Sequence, residues 1–383
     1  MFDSVKRRWH RRRQPTSQGF SFSRPLVLLH SDGWGRVGVR DRVGYEQLRT
    51  SGIALGQNPF DYYSLETSED VIAVRDLLKR HRDSTGRAAC LVMNFPQANL
   101  DFKQIANAGF HGVYLMPLSQ GLPGSWQRPG LFDAYRQGIL DGVFYPALYG
   151  LTHFCRLAVE RALTVPSDRN NLLYTFWKAE TPYIRWRMPW IGYEYFNPEK
   201  PSAGFLDAAT QARLIAAAGR EFKKVFKMAP RSACAPGHRA NPDTHRAWSN
   251  AGIRIAQNGS GAAMPPHMDE WGLLNLHRTI DFEPFERGLP VEKYLQLAEH
   301  CFARGIPAVV SMHSINFHSS LKDFRGPTLR LLNEFLSALE RKHPNLLYLQ
   351  DMDLYDLVNR GKFKGPRGLV SVEVKQHDDA KML

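Results

Sequence analysis

Cysteine is scarce in this chain, with four in 383 residues (Cys90, Cys155, Cys234, Cys301). None is paired as C-x-x-C, which argues against a zinc knuckle and a disulfide frame and for reduced, partly buried thiols. No apolar run approaches the ~20 residues of a membrane span. No internal repeat or low-complexity block is present, which excludes solenoids and propellers. Acidic residues are in deficit, 37 against 50 Lys and Arg, for a net charge of +13. A 43 % apolar and 11 % aromatic content excludes wholesale disorder and can fill a large core.

The excess charge is concentrated at one end. Residues 1–25 hold Lys6, Arg7, Arg8, Arg11, Arg12, Arg13 and Arg24 against Asp3, a balance of +6. No apolar segment follows Arg13, so a secretory signal is not expected and the expected location is cytoplasmic. Residues 1–23 are expected to form a basic disordered arm. It is either a solvated tail or a tether to the acidic inner face of a membrane, at ~1 kcal/mol per basic residue. No nucleic-acid-binding module is recognisable, so no specific nucleic acid is expected as a partner.

From Arg24 onward, short apolar runs alternate with amphipathic stretches. Strands are expected at 25–30, 88–94, 110–116, 252–257, 307–313 and 346–350, with a strand and loop over 232–239. Helices are expected at 68–82, with Ser68 as N-cap, and at 102–108, 133–142, 206–226, 291–304 and 327–342. Such alternation predicts a parallel sheet flanked by helices. Residues 24–360 are expected to form the folded body and 361–383 a C-terminal tail.

Polar clusters follow three of the apolar runs: His30-Ser-Asp32, Tyr149-Gly-Leu-Thr-His153 and His313-Ser-Ile-Asn316. In parallel α/β barrels the carboxyl ends of the strands form the active-site face. Taken singly, an Asp or His at a strand end is as readily a cap or a hydrogen-bond partner. Arriving together, the three clusters point to a site.

Five stretches in this order resemble the polysaccharide deacetylases of the NodB type: His30-Ser-Asp-Gly-Trp-Gly35, 144–154, Ala235-Pro-Gly-His-Arg239, Arg278-Thr-Ile-Asp-Phe-Glu-Pro284 and His313-Ser-Ile-Asn-Phe317. The resemblance spans about Pro25 to Asp356. It implies a distorted (β/α) barrel and removal of acetyl groups from an acetylated sugar, with one carboxylate and two histidines holding a divalent metal, usually zinc. On that pattern Asp32 matches the base and His313 the acid, both on the open face of the barrel. Gly33 and Tyr149 stand where two metal ligands belong, leaving His153. The substrate-binding set would include Trp34, Arg239, Asn316, Trp186 and Trp190.

Three readings follow. In the first, a degenerate barrel binds glycans through groove aromatics (Trp126, Trp186, Trp190, Tyr193), some of which simply pack helices. In the second, an active hydrolase has a rearranged centre in which His30, Asp32, His153 and His313 converge on zinc or nickel. His30 points to the same side as Asp32 and serves either as ligand or as its support. In the third, the chain is a scaffold in a polysaccharide-assembly complex.

Overall fold

A computed structural model of the protein describes residues 18–164, 166–199, 204–260 and 264–378. Eight short strands run parallel in the order Ile280–Asp281, Ala308–His313, Leu26–Asp32, Leu91–Phe95, Phe144–Leu148, Ser232–Cys234, Ile255–Ser260 and Leu274–Arg278. The first and last of these are one piece of chain. Leu274–Arg278 pairs with Ile255–Ser260, and after Thr279 the same segment pairs with Ala308–His313. The sheet therefore curls into a distorted (β/α) barrel, as expected.

The strands read as apolar runs because both of their faces are covered. All seven residues of Leu26–Asp32 are buried. Amphipathic helices pack outside: Ser68–Arg80 buries Val71, Val74, Leu77 and Leu78 against the strands. Thr67, not Ser68, caps that helix through a reciprocal bond with Asp70. The expected strand at 110–116 shrinks to Leu115–Pro117, which pairs with Ala98–Leu100 outside the barrel.

Two boundaries need correction. Gln18–Phe22, expected in the arm, is a strand that pairs antiparallel with Val374–Asp378, expected in the tail. Phe20 and Phe22 lie on one face of it and fill a second core with Leu354, Leu357 and Phe363. Burial of those two rings is what fixes the segment. Residues 361–371 likewise form a hairpin, Lys362–Gly365 with Gly368–Ser371. The basic residues expected to form the tether, Lys6 to Arg13, lie outside the described residues. Among the described residues no helix is long and apolar enough to cross a membrane.

Candidate functional site

The carboxyl ends of the barrel strands open into a cleft of about 720 Å³, a size common for small-molecule sites. Arg278 lines the cleft, and behind it lies Asp32, the last residue of its strand and 1 % exposed. Arg278, at the end of Leu274–Arg278, grips both carboxylate oxygens at 2.6 and 2.7 Å. Asn94 donates to Oδ1 at 2.7 Å. Burial alone would raise the pKa of Asp32, but the charge and bonds of Arg278 outweigh it and hold the carboxyl well below the usual carboxylate range. Asp32 is thus an ionised, capped anion rather than a group on an open face.

Below it, a polar column runs down the barrel axis. Gln257 joins Asn94 to Asp351, and Asp351 accepts from Ser232 and pairs with His30 Nε2 at 2.8 Å. His30 and Asp32 do point to the same side. Two residues of strand separate them by ~7 Å along the strand, however. His30 is fully buried and serves Asp351, neither supporting Asp32 nor reaching the cleft as a metal ligand.

His153 does line the cleft, beside Tyr149 with ring centroids 5.4 Å apart. Its Nδ1 lies 2.7 Å from Tyr183 Oη. Burial and the charges of Arg36 and Arg185 push its pKa well below the ordinary histidine value, so the ring is neutral. His313, on the opposite wall and 42 % exposed, bonds through Nδ1 to Glu283 at 2.7 Å. Burial disfavours its charged form, yet the Glu283 carboxylate outweighs burial and raises its pKa. Asn316 touches no open space: it donates to Glu283 at 2.6 Å and so fixes that pair.

The expected sugar-stacking residues scatter. Gly33 and Gly35 have φ of +92° and +71°, the left-handed region that glycine adopts freely. The turn they make sends Trp34 into the core, fully buried and stacked on Phe317, away from the cleft. Arg239 is exposed over the Phe196 ring and does not line the cleft. Trp190 packs against the core beneath Arg169, and Trp126 is buried with its Nε1 donating to Glu180. Trp186 does reach the cleft, held by Asp61 and by Arg187 over its ring.

Other side chains line the cleft that the sequence motifs did not assign. Arg36 stacks on Tyr63 at 3.9 Å and Arg185 on Tyr193 at 3.6 Å. His238 lies 3.9 Å from Asp32, and burial together with Arg278 pulls its pKa to about 4. Arg278, Glu283 and His238 all fall inside quoted motifs. The visible signal for Arg278 was a charge ending an apolar, strand-like run.

A divalent metal does not fit these residues. Asp32, Cys234 and His238 bring ligand atoms within 4.8 Å of one another, the one such set among the described residues. The Arg278 guanidinium occupies that set, bonded to Asp32 and 3.7 Å from Cys234 Sγ. A metal would have to displace it or sit beside a full positive charge. Burial and Asp32 push the Cys234 thiol and the Tyr149 phenol up, so neither readily becomes an anionic ligand. Gly33 has no donor, and a Cβ there would lie 3.1 Å from Tyr63 Oη.

No family model matches the chain, and no curated protein sequence does. Solved structures resemble it at low identity. One, assigned as a polysaccharide deacetylase from Mycobacterium smegmatis, is 10 % identical over 87 % of this chain and 90 % of that one, with a TM-score of 0.47. The 4-alpha-glucanotransferase from Thermococcus litoralis is 10 % identical over 87 % and 40 %, with a TM-score of 0.45. The allantoinase PuuE is 10 % identical over 88 % and 92 %, with a TM-score of 0.44. The likeness is remote. It leaves the activity open, and the barrel assignment stands on the strand pairing itself.

Proposed function

We propose that this barrel binds a carbohydrate in its cleft and that an internal ion pair, Arg278–Asp32, takes the place of a hydrolytic metal. The observation that carries this reading is the guanidinium seated on both oxygens of Asp32. It supplies the positive charge a metal would bring, while offering no open coordination position for water. The order of the five deacetylase-like motifs supports a sugar ligand. So does the ring-rich lining, with Phe60, Tyr63, Tyr149, Tyr183, Trp186 and Tyr193 around the cleft. Aromatic faces and hydroxyls suit the apolar faces and polar edges of sugar rings.

A second reading is metal-free removal of acetyl groups from such a sugar. His313, charged beside Glu283 and reachable from the cleft, favours it as a proton donor to a leaving group. The base is the difficulty. Asp32 is capped, and His238, with its pKa near 4, draws a proton from water poorly. Binding without turnover is therefore the stronger reading.

A glycan array probed with the full chain, alongside an acetate-release assay on acetylated xylan and chitin oligosaccharides, tests both. Binding that Tyr193→Ala weakens, with no acetate released, supports the proposal. Acetate release that a chelator abolishes would overturn it. Release that survives chelation and is lost in His313→Gln would favour the second reading.

A further inference from the structure

Three arginines that line the cleft have no carboxylate partner among the described residues: Arg287 is exposed to solvent, whereas Arg36 and Arg185 are half-buried. Arg36 is half-buried, its Nε enclosed without any hydrogen-bond partner. Its polar contact is Nη1 to Tyr183 Oη at 3.4 Å, and its plane lies on the Tyr63 ring. Arg185, also half-buried, donates to the carbonyl of Gly192 and lies on the Tyr193 ring. The cleft's carboxylates are engaged elsewhere or stand on the far wall. Asp32 holds Arg278, Glu283 holds His313 and Asn316, and Asp281 accepts from Ser311. Removing a charge from water without a counter-ion is costly. Stacking on Tyr63 and Tyr193 offsets part of that cost, and a ligand anion in the cleft would offset the rest.

His153 stands between them, its ring 6.3 Å from that of Tyr183 and 5.7 Å from that of Tyr193. The one acceptor bonded to the Tyr183 hydroxyl among the described residues is His153 Nδ1. In the tautomer whose Nδ1 accepts from the phenol, the neutral imidazole carries its hydrogen on Nε2. Arg36, Arg185 and His153 Nε2 then form a patch made of donors alone. Opposite it, Asp281, Glu283 and Glu286 provide acceptors. The donor patch suits the anionic group of a ligand, and the facing wall, where those carboxylates stand with Arg287 and His313, suits its hydroxyls.

We infer that Arg36, Arg185 and His153 form an oxyanion subsite, and that the sugar the cleft takes is an acidic one, its ring carrying a carboxylate or a sulfate or phosphate ester. Planar guanidinium forks match such groups with paired, charge-assisted hydrogen bonds. This inference rests on the carbohydrate reading for the sugar ring but not for the anion site.

The first test needs no ligand. In sulfate-free buffer, Arg36→Gln should melt about 1–2 °C higher than the wild type, because it removes a half-buried charge that has no carboxylate partner. A melting point lowered by that substitution would show that Arg36 is structural and would overturn the inference. Arg185→Gln provides a second, independent variant. Next, inorganic sulfate titrated at constant ionic strength should raise the wild-type melting point saturably, and either variant should lose most of that shift. An unsaturable shift, or one equal in all three proteins, sinks the subsite. Uronic acids, sulfated sugars and phosphorylated sugars compared calorimetrically with their neutral parents then identify the oxyanion. Acidic sugars should bind at least tenfold more tightly than the parents, and Arg36→Gln should erase the difference. Neutral sugars that bind as well as acidic ones would refute the inference and leave the carbohydrate reading standing. Sulfate binding with no sugar bound would do the reverse.

Discussion

Replacing Asp32 with asparagine separates a structural ion pair from a catalytic base on an open face. Asp32→Asn preserves shape but leaves Arg278 charged, 2 % exposed and unpaired. Breaking one side of a buried pair typically costs about 3–5 kcal/mol. With ~2.1 cal/mol/K of unfolding entropy per residue over 383 residues, that loss lowers the melting point by roughly 4–6 °C. The effect also carries a pH signature. Folding depresses the pKa of Asp32, so its contribution is present above the unfolded value of about 3.9 and is lost as pH falls towards the lower folded value. Scanning calorimetry should therefore find the full difference at pH 7 and a shrinking one below about pH 4. Adding Arg278→Met should recover most of the loss, because no buried charge then remains. A variant as stable as the wild type at pH 7, or a difference unchanged down to pH 3, would refute the reasoning.

Two further outcomes follow from the same geometry. Gly33→Asp with Tyr149→His completes the ligand set of the resembled family, yet should gain no zinc in a calorimetric titration. Arg278 still caps Asp32, and residue 33 has a positive φ with Tyr63 Oη against its Cβ; a tight zinc site in that variant would remove the steric and charge argument. Glu283→Gln should lower the His313 pKa in an NMR titration. The raised folded pKa means that the pair stabilises the protein fully below pH ~6.5 and fades as pH rises through the folded value, so the variant should lose stability at pH 5.5 and little at pH 9. A His313 titration unaffected by the substitution would break the proposed pair.

The barrel was legible because a strand buried on both faces is written as an apolar run, as in Leu26–Leu29 and Ala308–Met312. The strand-end rule likewise placed His153 and His313 at one opening, with Asp32 buried behind Arg278. What the sequence concealed was depth and direction. Alternation put His30 on the side of Asp32 but could not say that the next layer down held Asp351. Trp34 was misread because two positive-φ glycines turn the chain inward. Gln18–Phe22 passed as arm because two phenylalanines are a weak pattern until another strand covers them. Arg278 and Asp32 are 246 residues apart, and no local pattern announces such a pair.

The claim at the centre of this account is that an arginine sits where a metal would be needed. Elemental analysis of protein purified without an affinity tag, covering the first-row divalent metals and paired with thermal melts with and without chelator, tests it most directly. The expected result is far less than one metal per chain and a melting point that neither chelator nor added zinc moves. One tightly held metal per chain, whose removal lowers the melting point, would contradict it.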